Sequence, residues 1–267
     1  MNESITRALS GIVYIILLLT ATLFSETSFI VLFGIFMFLS VFEFCNLINL
    51  DKTPALLIAA AFMVFTLFGK NTLFNNGLLN AASLFVAIIL LYDLFKKGPV
   101  AQKDKAYKIV LLIGYVIIPF VLLIKYPFHN GFNPYLIIGA FVIIWINDTF
   151  AYIVGKTMGR TKLFERISPK KTVEGFIGGL LFAVLGSYIL SIYYNFQSPA
   201  IWISSAIILV IFGTLGDLVE SRFKRNAGVK DSGKIMPGHG GILDRLDSII
   251  FAIPFLFLFH QIINYVS

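Results

Sequence analysis

Residues 221–247 read SRFKRNAGVKDSGKIMPGHGGILDRLD and hold six Lys or Arg, three Asp, one His and five Gly. Apolar segments flank them, 199–216 before and 246–264 after. Each is close to the roughly 20 residues that a helix needs to cross a bilayer. A polar loop held between two such segments decides the fold class, because it is the surface loop of a membrane-embedded chain.

The rest of the chain agrees. Of its 267 residues 58% are hydrophobic and only 13% charged, with a mean hydropathy of +0.89. A soluble domain carries about 25% charged residues. Nine segments approach spanning length: 5–24, 28–50, 54–69, 77–95, 107–124, 134–155, 175–194, 199–216 and 246–264. The expected fold is therefore an all-α integral membrane protein, a polytopic bundle of about nine transmembrane helices. The segment 54–69 is short and Ala-rich. Cys45 is the one cysteine, which excludes a disulfide framework or a cysteine zinc site within one chain. The first apolar stretch is too long for a signal-peptide core and lacks a clear cleavage site, so it reads as a retained helix.

Charge sets the expected orientation. With the N-terminus cytoplasmic and nine alternating spans, one face receives Arg7, Lys52, five Lys between 96 and 108, six basic residues between 156 and 171, and six between 222 and 245. Only Lys70 and Lys125 fall on the other face, where the C-terminus also lies. Basic short loops stay on the cytoplasmic side, so the polar loops are expected to face the cytoplasm. Omitting the third span would break this segregation. The net charge of +7 belongs to one face and does not indicate a nucleic-acid binder. The 96–108 cluster needs no role beyond topology and contact with anionic lipid.

No linker, low-complexity tract or internal repeat divides the chain. Turn signals stand at Thr53-Pro54, Gly98-Pro99 and Asn133-Pro134. We read one membrane domain, 1–267, with an N-terminal helical scaffold (1–133) and a catalytic half (134–267). The latter bears cytoplasmic loops 156–174 and 217–247.

At the end of the eighth segment Asp217, Glu220, Ser221, Lys224 and Arg225 share one helix face. The turn Pro237-Gly-His-Gly-Gly241 can offer backbone N–H groups to phosphate oxygens. The ninth helix then starts with Asp244, Arg245 and Asp247. Carboxylates from two helix ends facing one loop suit Mg²⁺, a hard cation that takes oxygen ligands and substrate phosphates. Simpler readings exist for each: acids in a first turn complement the helix dipole, and Lys224 and Arg225 suit interfacial anchors. They leave unexplained why so many roles share 27 residues. Gly228 to Lys234 imitates a phosphate-binding P-loop, but Ile235 stands where Ser or Thr is required and no strand precedes it.

A second polar loop begins inside a span at Asn147-Asp148, and an ionisable residue there is a functional candidate. Ser168 to Gly175 reads as a turn, a basic pair and a helix start. Gly175 and Gly179 have the spacing of close helix packing. Lys170 and Lys171 suit a lipid phosphate, although Lys at this level also snorkels. Glu43 is the remaining acid within a span, either a structural partner for a neighbouring Lys or Asn or part of the site. Cys45, His129 and His260 give no usable signal.

These residues resemble the signature of the phosphatidate cytidylyltransferase family, the CDP-diacylglycerol synthases. Ser221, Lys224-Arg225, Lys230-Asp231, Pro237 to Gly241, Asp244-Arg245 and Asp247 agree in spacing, and Asp148, Ala151-Tyr152, Gly155-Lys156, Ser168-Pro169, Lys171-Thr172 and Gly175 extend the likeness. It covers about 145–250. Val173 stands where many members have an aromatic, and Lys234 where His is common. The resemblance implies that CTP and phosphatidic acid give CDP-diacylglycerol and pyrophosphate with Mg²⁺, a second cation being compatible. It implies catalytic roles for Asp217, Lys224, His239 and Asp244, and metal binding by Asp217, Asp244 and Asp247. Ser221, Arg225, Lys230, Asp231, Gly238, Gly240, Gly241 and Arg245 would bind the CTP phosphates. Ser168, Lys170 and Lys171 would take the lipid phosphate, with Asp148, Glu220 and Glu43 as further candidates. A homodimer is also implied. Rival readings are a cytidylyltransferase for an isoprenoid lipid phosphate, a polyprenol-phosphate sugar transferase and, in another class, a secondary transporter. Transporters tend to show inverted repeats and midplane sites, whereas this chain gathers its polar residues on one face.

Overall fold

The computed structural model describes residues 3–69, 72–96, 104–128 and 131–266. Lys70, Lys97, Gly98-Pro99, Lys103 and His129 lie outside the described residues. Each expected segment is helical: α1 (Glu3–Phe24), α2 (Glu26–Ile48), α3 (Lys52–Phe68), α4 (Leu73–Phe95), α5 (Lys105–Lys125), α6 (Pro134–Met158), α7 (Val173–Tyr193), α8 (Pro199–Asn226) and α9 (Leu243–Val266). Eight are long and apolar enough to cross a membrane, and α3, at 17 residues, is the shorter one. It nevertheless runs from one end of the bundle to the other. Asp51, just before it, pairs with Lys105 at 2.8 Å, and the Phe65 ring near its end lies 5.8 Å from the Lys125 ammonium.

Local chemistry sets the helix starts. Thr72, Asp104, Asn133, Thr172 and Ser198 each accept a hydrogen bond from a backbone N–H of the first turn they precede. Pro134 and Pro199 occupy first positions, where a missing N–H costs nothing. The helices are apolar nearly all round, because those faces that do not meet protein meet lipid.

The core centres on α5, whose residues Leu111 to Ile124 are almost entirely buried. Its turn Leu112–Ile117 widens to a π-helix, so that the Ile118 N–H reaches Ile113 O. Pro119 follows directly; it has no N–H, and its ring crowds the carbonyl four residues back. The wider turn accommodates that crowding, and Ser83 Oγ donates to the Gly114 carbonyl at 2.8 Å. By contrast α1 is largely exposed along its length.

The chain adds one feature to the expected fold, a small hairpin of β1 (Lys162–Phe164) and β2 (Ser168–Thr172), paired antiparallel. Strand β2 takes in both the start of the stretch from Ser168 to Gly175, read as a turn, and the basic pair Lys170-Lys171. Beyond it α7 packs against α6 at backbone distance. A Cβ on Gly175 would meet Ala151 O at 2.7 Å, and one on Gly179 would meet Asn147 Oδ1 at 2.5 Å.

The basic loops converge on one end of the bundle. Lys108 donates to Asn49 O, Arg166 to Leu94 O and Lys96 O, and Arg222 to Asp93 O. At the other end Lys125 donates to Asn76 at 3.0 Å, Tyr126 hydrogen-bonds His260 at 3.1 Å, and Tyr135 stacks on Tyr194.

Candidate active site

The site lies at the basic end, where α8 overruns its apolar segment. Asp217, Glu220, Ser221 and Lys224 follow one face of that last stretch. Glu220 is fully buried and ion-paired with Lys224, whose ammonium also reaches Asp244 Oδ1 at 2.7 Å. Asp217 pairs with Lys171 of β2 and accepts a hydrogen bond from Ser221 Oγ at 3.2 Å. The hairpin and two helix ends are thus tied together by charge.

Asp244 organises the loop. Its Oδ2 accepts from Ser232 N (2.9 Å), Ser232 Oγ (3.0 Å) and Gly241 N (2.7 Å), while Oδ1 takes Lys224. Glu43 reaches in from α2, nearly 200 positions earlier. Its carboxylate accepts from Ile242 N (3.1 Å), Leu243 N (2.9 Å) and Ser232 Oγ (3.1 Å). It therefore caps the start of α9, where a helix leaves N–H groups without partners and favours negative charge. Its partners are loop backbone and a serine, not Lys or Asn. Side chains cannot replace the glycines here, since a Cβ on Gly241 would lie 2.4 Å from Glu43 Oε1.

The glycine turn is held by Met236 N to Gly240 O and His239 N to Met236 O, both 2.9 Å. Gly238 and Gly240 have φ of 75° and 87°, a region that L side chains rarely enter. Arg245 donates to His239 O at 2.9 Å. From the other side α1 closes on the turn. Ser10 Oγ lies 2.9 Å from Pro237 O and 2.6 Å from His239 Nδ1. A Cβ on Gly238 would touch the Arg7 side chain at 2.7 Å. Partial burial, Arg245 and Arg7 all disfavour the charged imidazolium, so His239 is held below its ordinary pKa. The ring is neutral at neutral pH, and its protonation is displaced to lower pH.

Between these groups lies a cavity of about 240 Å³. Asp148, His239, Asp244, Arg245 and Asp247 form its polar end, while Ile15, Phe141, Ile144 and Trp145 give it an apolar wall. Asp148, Asp217, Glu220, Asp244 and Asp247 are close enough to act on one another electrostatically, with Lys171, Lys224 and Arg245 as the opposing charges. Burying an ion costs several kcal/mol even after relaxation, so such a cluster is a poor way to stabilise a bundle and a good way to do chemistry.

The structure therefore brings Asp217, Glu220, Ser221, Lys224, Lys171, Asp244, Asp247 and Asp148 together, with His239, Arg245, Gly238, Gly240 and Gly241 around them. It places others further out. Arg225 is exposed and donates to Val229 O at 3.1 Å, Lys230 and Lys170 are exposed, and Ser168 is half-buried. Asp231, though exposed, backs onto the glycine turn, where a Cβ on Gly240 would lie 3.2 Å from its own. Sequence reasoning missed Ser10, Ser232 and Tyr14, the last lining the cavity, uncharged residues that no charge or motif rule marks. Among the described residues no cluster of three or more His, Cys, Asp or Glu side chains forms a ready metal-holding group. The donor chemistry nevertheless fits a hard cation. The cluster holds two more carboxylates than cationic groups, all its acid donors are oxygens, and Asp148, Asp244 and Asp247 line one cavity.

Comparison with known proteins adds an independent finding. Residues 5–263 match the Cytidylyltransferase family. A protein of Staphylococcus saprophyticus named phosphatidate cytidylyltransferase is 40% identical over 214 residues, 79% of this chain and 80% of that protein. One of the same name from Staphylococcus haemolyticus is 36% identical over 255 residues, covering 94% and 96% respectively. A third, from Staphylococcus aureus, is 44% identical over 171 residues, 63% and 64% of the two chains.

Proposed function

The chain belongs to the cytidylyltransferase family, and from that premise we propose that it is a phosphatidate cytidylyltransferase, transferring CMP from CTP to phosphatidic acid. The products are CDP-diacylglycerol and pyrophosphate. The observation that carries this reading is the cavity, with charged groups at one end and a wall of α1 and α6 side chains that suits a lipid.

A phosphate oxygen of the lipid attacks the α-phosphorus of CTP, and the bond from that phosphorus to the β-phosphate bridging oxygen breaks. The lipid phosphate is itself the nucleophile, so the protein needs no Ser or Cys nucleophile. Catalysis then rests on positioning and on charge placed ahead of time. Lys224, His239 and Arg245 meet the triphosphate, with Ser221, Arg225, Lys230 and Asp231 further along it. In the glycine turn the N–H groups of Gly238 and Gly240 meet the phosphates, since those of His239 and Gly241 are engaged by Met236 O and Asp244. Lys171, with Lys170 and Ser168 in the same strand, receives the lipid phosphate. Asp217, Asp244 and Asp247 would hold Mg²⁺, which supplies charge stabilisation on the transferring and leaving phosphates. With Asp217 and Asp244 turned to the ion, Lys171 would be left for the lipid phosphate, while Lys224 would keep its pair with Glu220.

The convergence of the basic loops on the site end supports a cytoplasmic site in a bacterial inner membrane. The family resemblance supports a homodimer. Purified protein in detergent, supplied with α-labelled CTP and phosphatidic acid, should move label into the organic phase only when Mg²⁺ is also present. Label transfer that persists in excess chelator would remove the metal from the reading. Transfer only to another lipid phosphate would replace the substrate.

A further inference from the structure

Tyr14 of α1 is 7% exposed, and its hydroxyl has no hydrogen-bond partner among the described residues. It nevertheless lines the cavity beside Asp148, Arg245 and Asp247. A buried hydroxyl left unpaired costs about 1–3 kcal/mol, and such an exception calls for an explanation. The ring is held against Phe36 of α2, centroids 6.1 Å apart. Removing the hydroxyl would leave that packing intact, so the ring's place in the core does not account for the oxygen. Arg245 and Asp247, which line the same cavity, both act on the hydroxyl electrostatically, so it lies within range of the polar end.

The occupant follows from the cavity. About 240 Å³ is less than the 300–1,000 Å³ that encloses a drug-sized ligand, so it takes part of a molecule. One end sets the guanidinium of Arg245 and the neutral ring of His239 among the carboxylates of Asp148, Asp244 and Asp247, so Arg245 is the cationic side chain lining the cavity that an anion there would meet. The flanking wall of Ile15, Phe141, Ile144 and Trp145 suits the apolar continuation of a lipid and not a ribose or a base.

We propose that Tyr14 is a lipid-binding residue of this site: its hydroxyl donates a hydrogen bond to a phosphate oxygen of the lipid substrate that Lys171 receives, beside the triphosphate that Arg245 meets. The proposal rests on the reading of the chain as a phosphatidate cytidylyltransferase and adds a subsite to it. One helix turn earlier, Ser10 bridges His239 and Pro237, so α1 serves both the lipid anion and the glycine turn. The helix with the least protein around it thereby supplies part of the binding surface.

The test is Tyr14→Phe, measured in detergent as KM for phosphatidic acid and for CTP separately. A parallel measurement records the rise in melting temperature that phosphatidic acid alone produces. The expected result is a rise of at least about tenfold in KM for the lipid, as for loss of a hydrogen bond to a charged group. KM for CTP should stay within about twofold, and the lipid-induced stabilisation should shrink. A purely structural hydroxyl would leave the lipid KM and the lipid-induced shift alone, and either of those unchanged overturns the proposal. A rise confined to the KM for CTP also overturns it, by placing the nucleotide there. If the wild-type protein transfers no CMP, the functional reading fails separately, and the lipid-induced shift in wild type against Tyr14→Phe still decides the role of Tyr14.

Discussion

Asp217 meets Ser221, which shares its helix face, and Lys171 of the hairpin, a partner that sequence could not join to it. Replacing it with Asn removes the charge but keeps the shape. Turnover of Asp217→Asn should fall by about a hundredfold or more, the scale seen when one preorganised electrostatic group is lost. The melting temperature should stay near wild type; undiminished turnover would take Asp217 out of the chemistry. Charged residues such as Asp217, Lys224 and Asp244 were legible because an ion in an apolar chain is costly and invites a functional explanation. Glu43 was legible as a buried acid, but its partners were not, since backbone N–H groups have no signature. Tyr14 and Ser10 were not legible at all. A tyrosine or serine in an apolar helix ordinarily marks an interface or bonds its own backbone.

Among the elements, α6 and α7 show what spacing can foretell. Gly175 and Gly179 announced close approach, and the two helices do meet backbone to backbone there. Gly179→Ala puts a methyl 2.5 Å from Asn147 Oδ1 and 2.9 Å from its carbonyl oxygen. Overpacking of this kind costs about 1–3 kcal/mol. Gly77 in α4 has nothing within 4 Å of a built Cβ, so Gly77→Ala is the control and should leave the protein as stable or slightly more so. Thermal unfolding of both variants in detergent checks this, and equal melting temperatures would contradict the contact. The hairpin Lys162–Thr172 escaped the sequence because Ser168-Pro-Lys-Lys reads as a turn. Its pairing comes from tertiary placement, with Glu174 accepting from Arg160 N and Thr161 N at 3.0 and 3.1 Å. The π-turn before Pro119 was equally hidden, since Pro marks a disturbance without saying which carbonyl adapts.

For the whole molecule, alternation of nine helices followed from charge segregation, and the contacts at each end agree with it. Orientation in a membrane is open to direct test. Cys45 is buried, so it should stay silent to an impermeant maleimide. Lys230→Cys and Asn195→Cys lie in exposed positions at opposite ends. In intact cells the reagent should label Asn195→Cys only, and in inside-out vesicles Lys230→Cys only; the reverse pattern would invert the topology. The same arrangement bears on biogenesis. Ser10 meets His239 across 229 positions, and Glu43 meets Leu243 across 200. Contacts so distant along the chain must wait for its later residues, because a ribosome delivers them in order and only about 5–20 each second. The early helices therefore sit in the bilayer for roughly ten seconds or more with Glu43 awaiting the backbone that it caps. A nascent chain halted before Gly241 would carry α1 to α8 but lack α9, and with it both Asp244 and the backbone that Glu43 caps. The site of this protein thus cannot close before its last helix has been made.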